Sequence, residues 1–164
     1  MNIEEIKLMY EYNYWANRRI LSMAEHITSD QLMKSTAFSW GNLHGTLLHT
    51  LDTEYGWRVL CQHGNHTPAW EVDEFPDLKS IQTRWDIEQY DMQAYLNSLT
   101  DENLQGVISY DIDDGTTRNR VLWHCLFHVV NHGMQHRSEC AAMLTDFGQS
   151  PGDLDFVVFL NQRQ

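Results

Sequence analysis

Basic residues, proline and cysteine are all scarce in this chain. Lys and Arg total 11 against 23 Asp and Glu, a net charge of -12. A surface of that sign repels phosphate backbones, and no basic run interrupts it, which argues against nucleic acid as a partner. The three cysteines, Cys61, Cys125 and Cys140, are too few and too far apart for a disulfide framework, and no CxxC occurs. Reduced thiols packed as small hydrophobes are the expectation. No stretch approaches the roughly 18 apolar residues of a spanning helix, so a membrane is not expected as a partner. The opening MNIEEIKLMYEYNYW is acidic and amphipathic, unlike a signal peptide, and a cytoplasmic location is expected. Low-complexity tracts and detectable repeats are absent, and Pro68, Pro76 and Pro151 are the only prolines.

What is present is a moderate apolar fraction of 42%, in 164 residues, with nine histidines and six tryptophans. That length suits a single domain, residues 1–164, with a real core. Apolar residues at helical spacing mark four long helices, over residues 3–27, 41–63, 78–99 and 120–147. Thr28 to Gln31 reads as a cap for a short connecting turn, and Ser39 as the cap of the second long helix. Residues 65–77 form a loop. The alternating segment from Val107 to Ile112, followed by Asp113-Asp114-Gly115-Thr116, predicts a small β-hairpin before the last long helix. Residues 155–160 add one or two further helical turns. The fold class is therefore all-α, a four-helix bundle.

Asn13 and Asn17 lie within the apolar stripe of the first helix. A buried amide left unpaired costs roughly 1–3 kcal/mol, so each must find partners. Either they reach polar groups on a neighbouring helix or they border a polar pocket in the core.

His124, His128, His132 and His136 recur every fourth residue, each step turning about 40° around the helix. His136 falls inside the apolar stripe and His132 at its edge, whereas His124 faces solvent or the hairpin. Imidazoles at i and i+4 on a buried face suit one divalent ion. The spacing matches HExxH, but Gly133 occupies the glutamate position, so that protease mechanism lacks its base. Gly133 also costs its helix about 1 kcal/mol against alanine, which suggests close approach or a need for space. Glu139 lies on the same face, one turn on, as an outer hydrogen-bond acceptor, a further ligand, a base, or a partner for Arg137. No Glu-x-x-His pair exists, which sets aside a ferritin-like di-iron site. A third ligand must come from another helix. His44 and His49 are available there, and the near all-round apolar pattern does not choose between them. His49 has small neighbours (Gly45, Thr46, Thr53, Gly56), whereas His44 looks packed; His26, His63 and His66 are expected to be solvated.

Leu47-Leu48-His49 through Glu54 and Trp57, then Phe127-His128-Val129-Val130-Asn131-His132 with His136-Arg137, then Gly148, Pro151 and Asp155-Phe156, together resemble the DinB-like (DNA-damage-inducible) family. The opening Tyr12-Asn13-Tyr14-Trp15-Ala16-Asn17 is similar to that family's first helix. The resemblance implies a four-helix bundle with a long crossover, a metal held by His49, His132 and His136, and a homodimer, for which Trp40, Trp57, Trp70 and Trp123 offer aromatic surface. Relatives include thiol-dependent S-transferases and an isomerase. Glu139 stands where relatives commonly carry Gln, a departure that adds a carboxylate to the site. The expectation is a divalent-metal-dependent enzyme, of transferase or hydrolase type, activating a thiol or water for attack on a small-molecule electrophile. Zinc or nickel comes first as the metal, then iron or manganese. Glu139 is the expected catalytic or orienting group, and Asn13 and Asn17 are expected to position a ligand. The alternative is a stress-response protein that binds a metal or small ligand without turnover.

Overall fold

The computed structural model describes residues 1–112 and 115–163. Asp113 and Asp114 of the expected hairpin turn lie outside the described residues. The chain forms α1 (Ile3–Ala24), α2 (Ser29–Leu32), α3 (Leu43–His63), α4 (Leu78–Ser98), α5 (Asp101–Leu104), β1 (Val107–Asp111), β2 (Thr117–Val121), α6 (Leu122–Asp146) and α7 (Phe156–Gln162). The four long helices, the hairpin and the terminal turns stand where periodicity placed them, with shifted ends. Among the described residues, no helix is long and apolar enough to cross a membrane.

Local chemistry sets those ends. Asn2 and Glu5 close a reciprocal capping box at the start of α1, each side chain accepting the other's backbone N–H at 2.9 Å. Thr28 and Gln31 do the same for α2. The cap of α3 is not Ser39 but Asn42, whose Oδ1 accepts the Gly45 N–H at 2.8 Å. Gly41, at φ 77°, turns the chain just before it, which leaves Ser39 outside the helix start. Gly64 ends α3 in the left-handed region, its N–H bonding Leu60 O. α6 begins two residues later than expected because Arg120 and Val121 pair with Ile108 and Val107 across the hairpin.

Side-chain bonds fix helix directions. Tyr10 Oη reaches Leu126 O and Asn17 reaches Arg137, so α1 and α6 run parallel. Glu54 bonds Trp85, Arg58 bonds Glu88 and Cys61 bonds Tyr95, so α3 and α4 also run parallel. Arg18 with Gln89 and Gln82 with Glu25 make α1 and α4 antiparallel. The bundle is thus up-down-down-up, with neighbours in the order α1, α6, α3, α4. Two parallel consecutive helices need a long return, and residues 64–77 supply it. This segment runs back along α3: the Trp70 ring stacks on Tyr55 at 4.6 Å, and Phe75 O accepts His44 Nε2–H at 2.7 Å.

Ile6, Tyr10, Leu96, Leu122 and Leu126 pack one half of the core, and Ile20, Leu43, Leu47, Ile81 and Leu144 the other. Between the halves lies a polar layer. Glu54, 2% exposed, accepts from Asn13 and Asn17 Nδ2 at 2.8 and 3.0 Å through Oε1, and from Trp85 Nε1 at 2.9 Å through Oε2. Arg137, 3% exposed, donates to the Oδ1 atoms of the same two asparagines. Asn13 and Asn17 therefore reach neighbouring helices, the first of the two alternatives above. A second buried pair, Arg58 with Glu88, joins α3 to α4 through bonds of 2.6 and 2.8 Å.

Candidate metal centre

Three imidazoles from α3 and α6 converge. His132 Nε2 stands 3.2 Å from His49 Nε2 and 3.1 Å from His136 Nε2. All three ligand atoms lie within 4.8 Å of one another, and among the described residues no other group of three His, Cys, Asp or Glu does this. Nitrogens each about 2.1 Å from one ion, at angles of about 90° to 110°, lie about 3.0 to 3.4 Å apart, and both spacings at His132 match that.

Proton counting points the same way. His136 Nδ1 faces Glu139 Oε2 at 2.8 Å, and a carboxylate accepts, so Nδ1 carries the proton and Nε2 presents its lone pair. His132 Nε2, if neutral, has one proton or one lone pair to meet two nitrogens. A cation satisfies all three lone pairs at once. Burial first, then the neighbouring histidines, pushes His132 down to about 4, and burial followed by His136 pushes His49 down to about 4. Both are neutral at pH 7, as ligation requires.

The surroundings hold these imidazoles in place. Glu139 buttresses His136, the carboxylate–imidazole arrangement that orients metal ligands. It takes none of Arg137, whose guanidinium belongs to the polar layer. Trp40 lies flat on His49, with ring centroids 3.6 Å apart and planes 14° apart. The loop carrying it folds so closely over α3 that a Cβ at Gly45 would run into the Trp40 carbonyl oxygen. Gly45, one of the small residues around His49, thus makes room for the Trp40 loop.

Gly133 has a comparable reason. A Cβ there would stand 2.7 Å from Arg137 Nη1 and 3.0 Å from Asn13 Oδ1, both fixed by buried bonds. Gly133→Ala is expected to destabilise the fold by about 1–3 kcal/mol through overpacking, despite the better helix propensity of alanine. The urea midpoint measures this, and an unchanged or higher midpoint would show that Arg137 yields freely.

Asn13 and Asn17, expected to position a ligand, give their nitrogens to Glu54 and their oxygens to Arg137. They brace the helix that carries His132 and His136. Sequence reasoning did not find this Glu54–Arg137 layer or the Trp40 stack; Glu54 and Arg137 stood in the family motif without an assigned partner. His44 is a core histidine, 2% exposed and bonded to Phe75 O. His124, His26, His63 and His66 are exposed, as expected. Cys61, Cys125 and Cys140 are free thiols, and the last two are buried.

Comparison with known proteins agrees with the fold described above. The sequence model described as the DinB family matches residues 1–164. The chain is 23% identical to Protein DinB of Bacillus subtilis over 157 residues, covering 93% of this chain and 91% of that one. Among solved structures it is similar to YfiT from Bacillus subtilis, described as a probable metal-dependent hydrolase with an unusual four-helix bundle topology (TM-score 0.65, 13% identity, 90% of each chain). It is also similar to a DinB-like protein from Bacillus cereus (TM-score 0.61, 17% identity, 93% of this chain and 97% of that one).

Proposed function

This chain belongs to the DinB family, and from that premise we propose that it is a metal-dependent enzyme activating a thiol or a water for attack on a small electrophile. The observation that carries this reading is the meeting of three imidazole nitrogens at 3.1 and 3.2 Å, with His49 and His132 only half-buried. Such a centre holds an ion and leaves one side open to ligand, as catalytic sites with three protein ligands do. The description of YfiT as a probable metal-dependent hydrolase supports the hydrolytic form.

A bound divalent cation supplies Lewis acidity, which makes water or a thiol a competent nucleophile near neutral pH. His49, His132 and His136 contribute their lone pairs. Glu139 holds the proton of His136 at Nδ1 and fixes the ring's direction, and the Trp40 indole keeps the His49 ring from rotating. The polar layer of Glu54, Asn13, Asn17 and Arg137 locks α3 to α6, which sets the distance across which the histidines meet.

Chelator-treated protein reloaded with zinc, nickel, iron(II) or manganese is to be incubated with a small thiol and a chlorodinitrobenzene, or with a nitrophenyl ester alone. A metal-dependent acceleration, abolished by chelator, is expected. Rates equal to those without protein, for every metal that binds, would leave a metal-binding protein without turnover.

A further inference from the structure

His49 shares its face of α3 with a second feature. Thr53, Gly56 and Trp57 follow it at spacings of four, seven and eight, continuing one helical stripe towards the crossover segment. With Asp52, His66 and Thr67 they line a cleft of about 210 Å³. Trp57 forms an indole wall, held by edge contacts with His128 at 5.1 Å and Tyr110 at 5.9 Å. His128 in turn lies 5.8 Å from His132, so the cleft and the histidine cluster are joined through a chain of rings.

The charge of this cleft is one-sided. No Lys or Arg lines it, whereas the half-buried carboxylate of Asp52 does. Among the described residues Asp52 forms no ion pair; its bond is a long one from the Trp70 N–H, at 3.4 Å. Burial pushes its carboxyl up from the usual range, the mark of a negative charge short of solvation. A carboxylate without counter-charge, in a cleft walled by an indole, meets both attractions that an organic cation offers: Coulombic, and to the ring's quadrupole. The chain's net charge of -12 attracts such a ligand from a distance.

We propose that this cleft binds an alkyl- or arylammonium group, and that it holds the charged, non-reacting end of a substrate whose electrophilic end reaches the histidines. Only the second half rests on the enzymatic reading above; the cation site needs no metal. Gly56 offers a test of its own. A Cβ there would meet Thr67 Oγ1 at 3.7 Å, an ordinary contact, so alanine fits the fold while taking space from the cleft.

The experiment titrates metal-free and metal-loaded protein at pH 8, where ordinary histidines are neutral, with benzyltrimethylammonium and with benzoate. The Trp57 indole N–H signal, assigned with Trp57→Phe, reports binding by NMR. The ammonium should shift it with equal affinity in both forms, and benzoate should not. Asp52→Asn keeps an oxygen for the Trp70 N–H and should weaken the ammonium about tenfold, the scale of a lost cation–carboxylate contact. Gly56→Ala should weaken it too while raising Tm, since alanine is the better helix former. Affinity unchanged in both variants, or benzoate binding as well as the ammonium, overturns the cation site. Ammonium binding without any metal-dependent reaction would keep that site and remove its link to catalysis.

Discussion

Alanine at position 132 is expected to leave the purified protein without stoichiometric metal. His132 Nε2 is the atom nearest both other donors, at 3.2 and 3.1 Å, so its loss leaves two nitrogens with no third to close the site. His128, one turn away, is not among the three nitrogens that converge. His128→Ala should therefore keep its metal and serves as the control for a His-to-Ala change on the same helix. Glu139→Ala should fall between the two. It removes the acceptor of His136 Nδ1–H but no ligand, and loss of such a partner typically costs 10- to 100-fold in metal affinity. Elemental analysis gives ions per chain, and the metal-induced rise in Tm gives affinity, because a ligand of the native state raises apparent stability. One ion per chain retained by His132→Ala would sink the proposed centre.

The second large effect concerns folding. Glu54→Gln should destabilise the protein by about 3–5 kcal/mol, the range found when one partner of a buried charge pair is removed. The carboxylate accepts three N–H bonds, two at Oε1 and one at Oε2. Glutamine can turn its oxygen to Asn13 and Asn17, but its amide then faces the Trp85 N–H, donor against donor. Arg137, buried and linked to Glu54 through the same asparagines, loses its counter-charge as well. Against a typical domain stability of 5–15 kcal/mol, such a loss is a large share. Urea unfolding followed by tryptophan fluorescence measures it. A change under about 1 kcal/mol would show that this layer contributes little beyond an ordinary hydrogen bond. Metal content at low temperature, where the variant still folds, separates loss of the fold from loss of the site.

The local features of this protein were legible in its residues because they depend on near neighbours. Apolar spacing marked α1, α3, α4 and α6, alternation marked the hairpin, and Thr28 with Gln31 marked a cap that forms as expected. The same arithmetic turned His132 and His136 inward on α6. The cost of a mid-helix glycine likewise pointed at Gly133 to a close approach or a need for space, without saying to what.

Tertiary structure decided the rest. α3 is apolar on nearly every side because α6, α4 and the returning segment 64–77 all cover it, so its periodicity could not tell the face of His49 from that of His44. Its small neighbours favoured His49 and the family resemblance named it, and packing supplied the reason: one face turns to α6, the other to Phe75 O. Asn42 displaced Ser39 as a cap because the loop over His49 folds through Gly41, a contact between distant turns. The pairing of Glu54 with Arg137 through Asn13 and Asn17 likewise joins residues far apart in sequence. A helix's own spacing determines which of its side chains share a face. Only the packing of helices determines what that face meets.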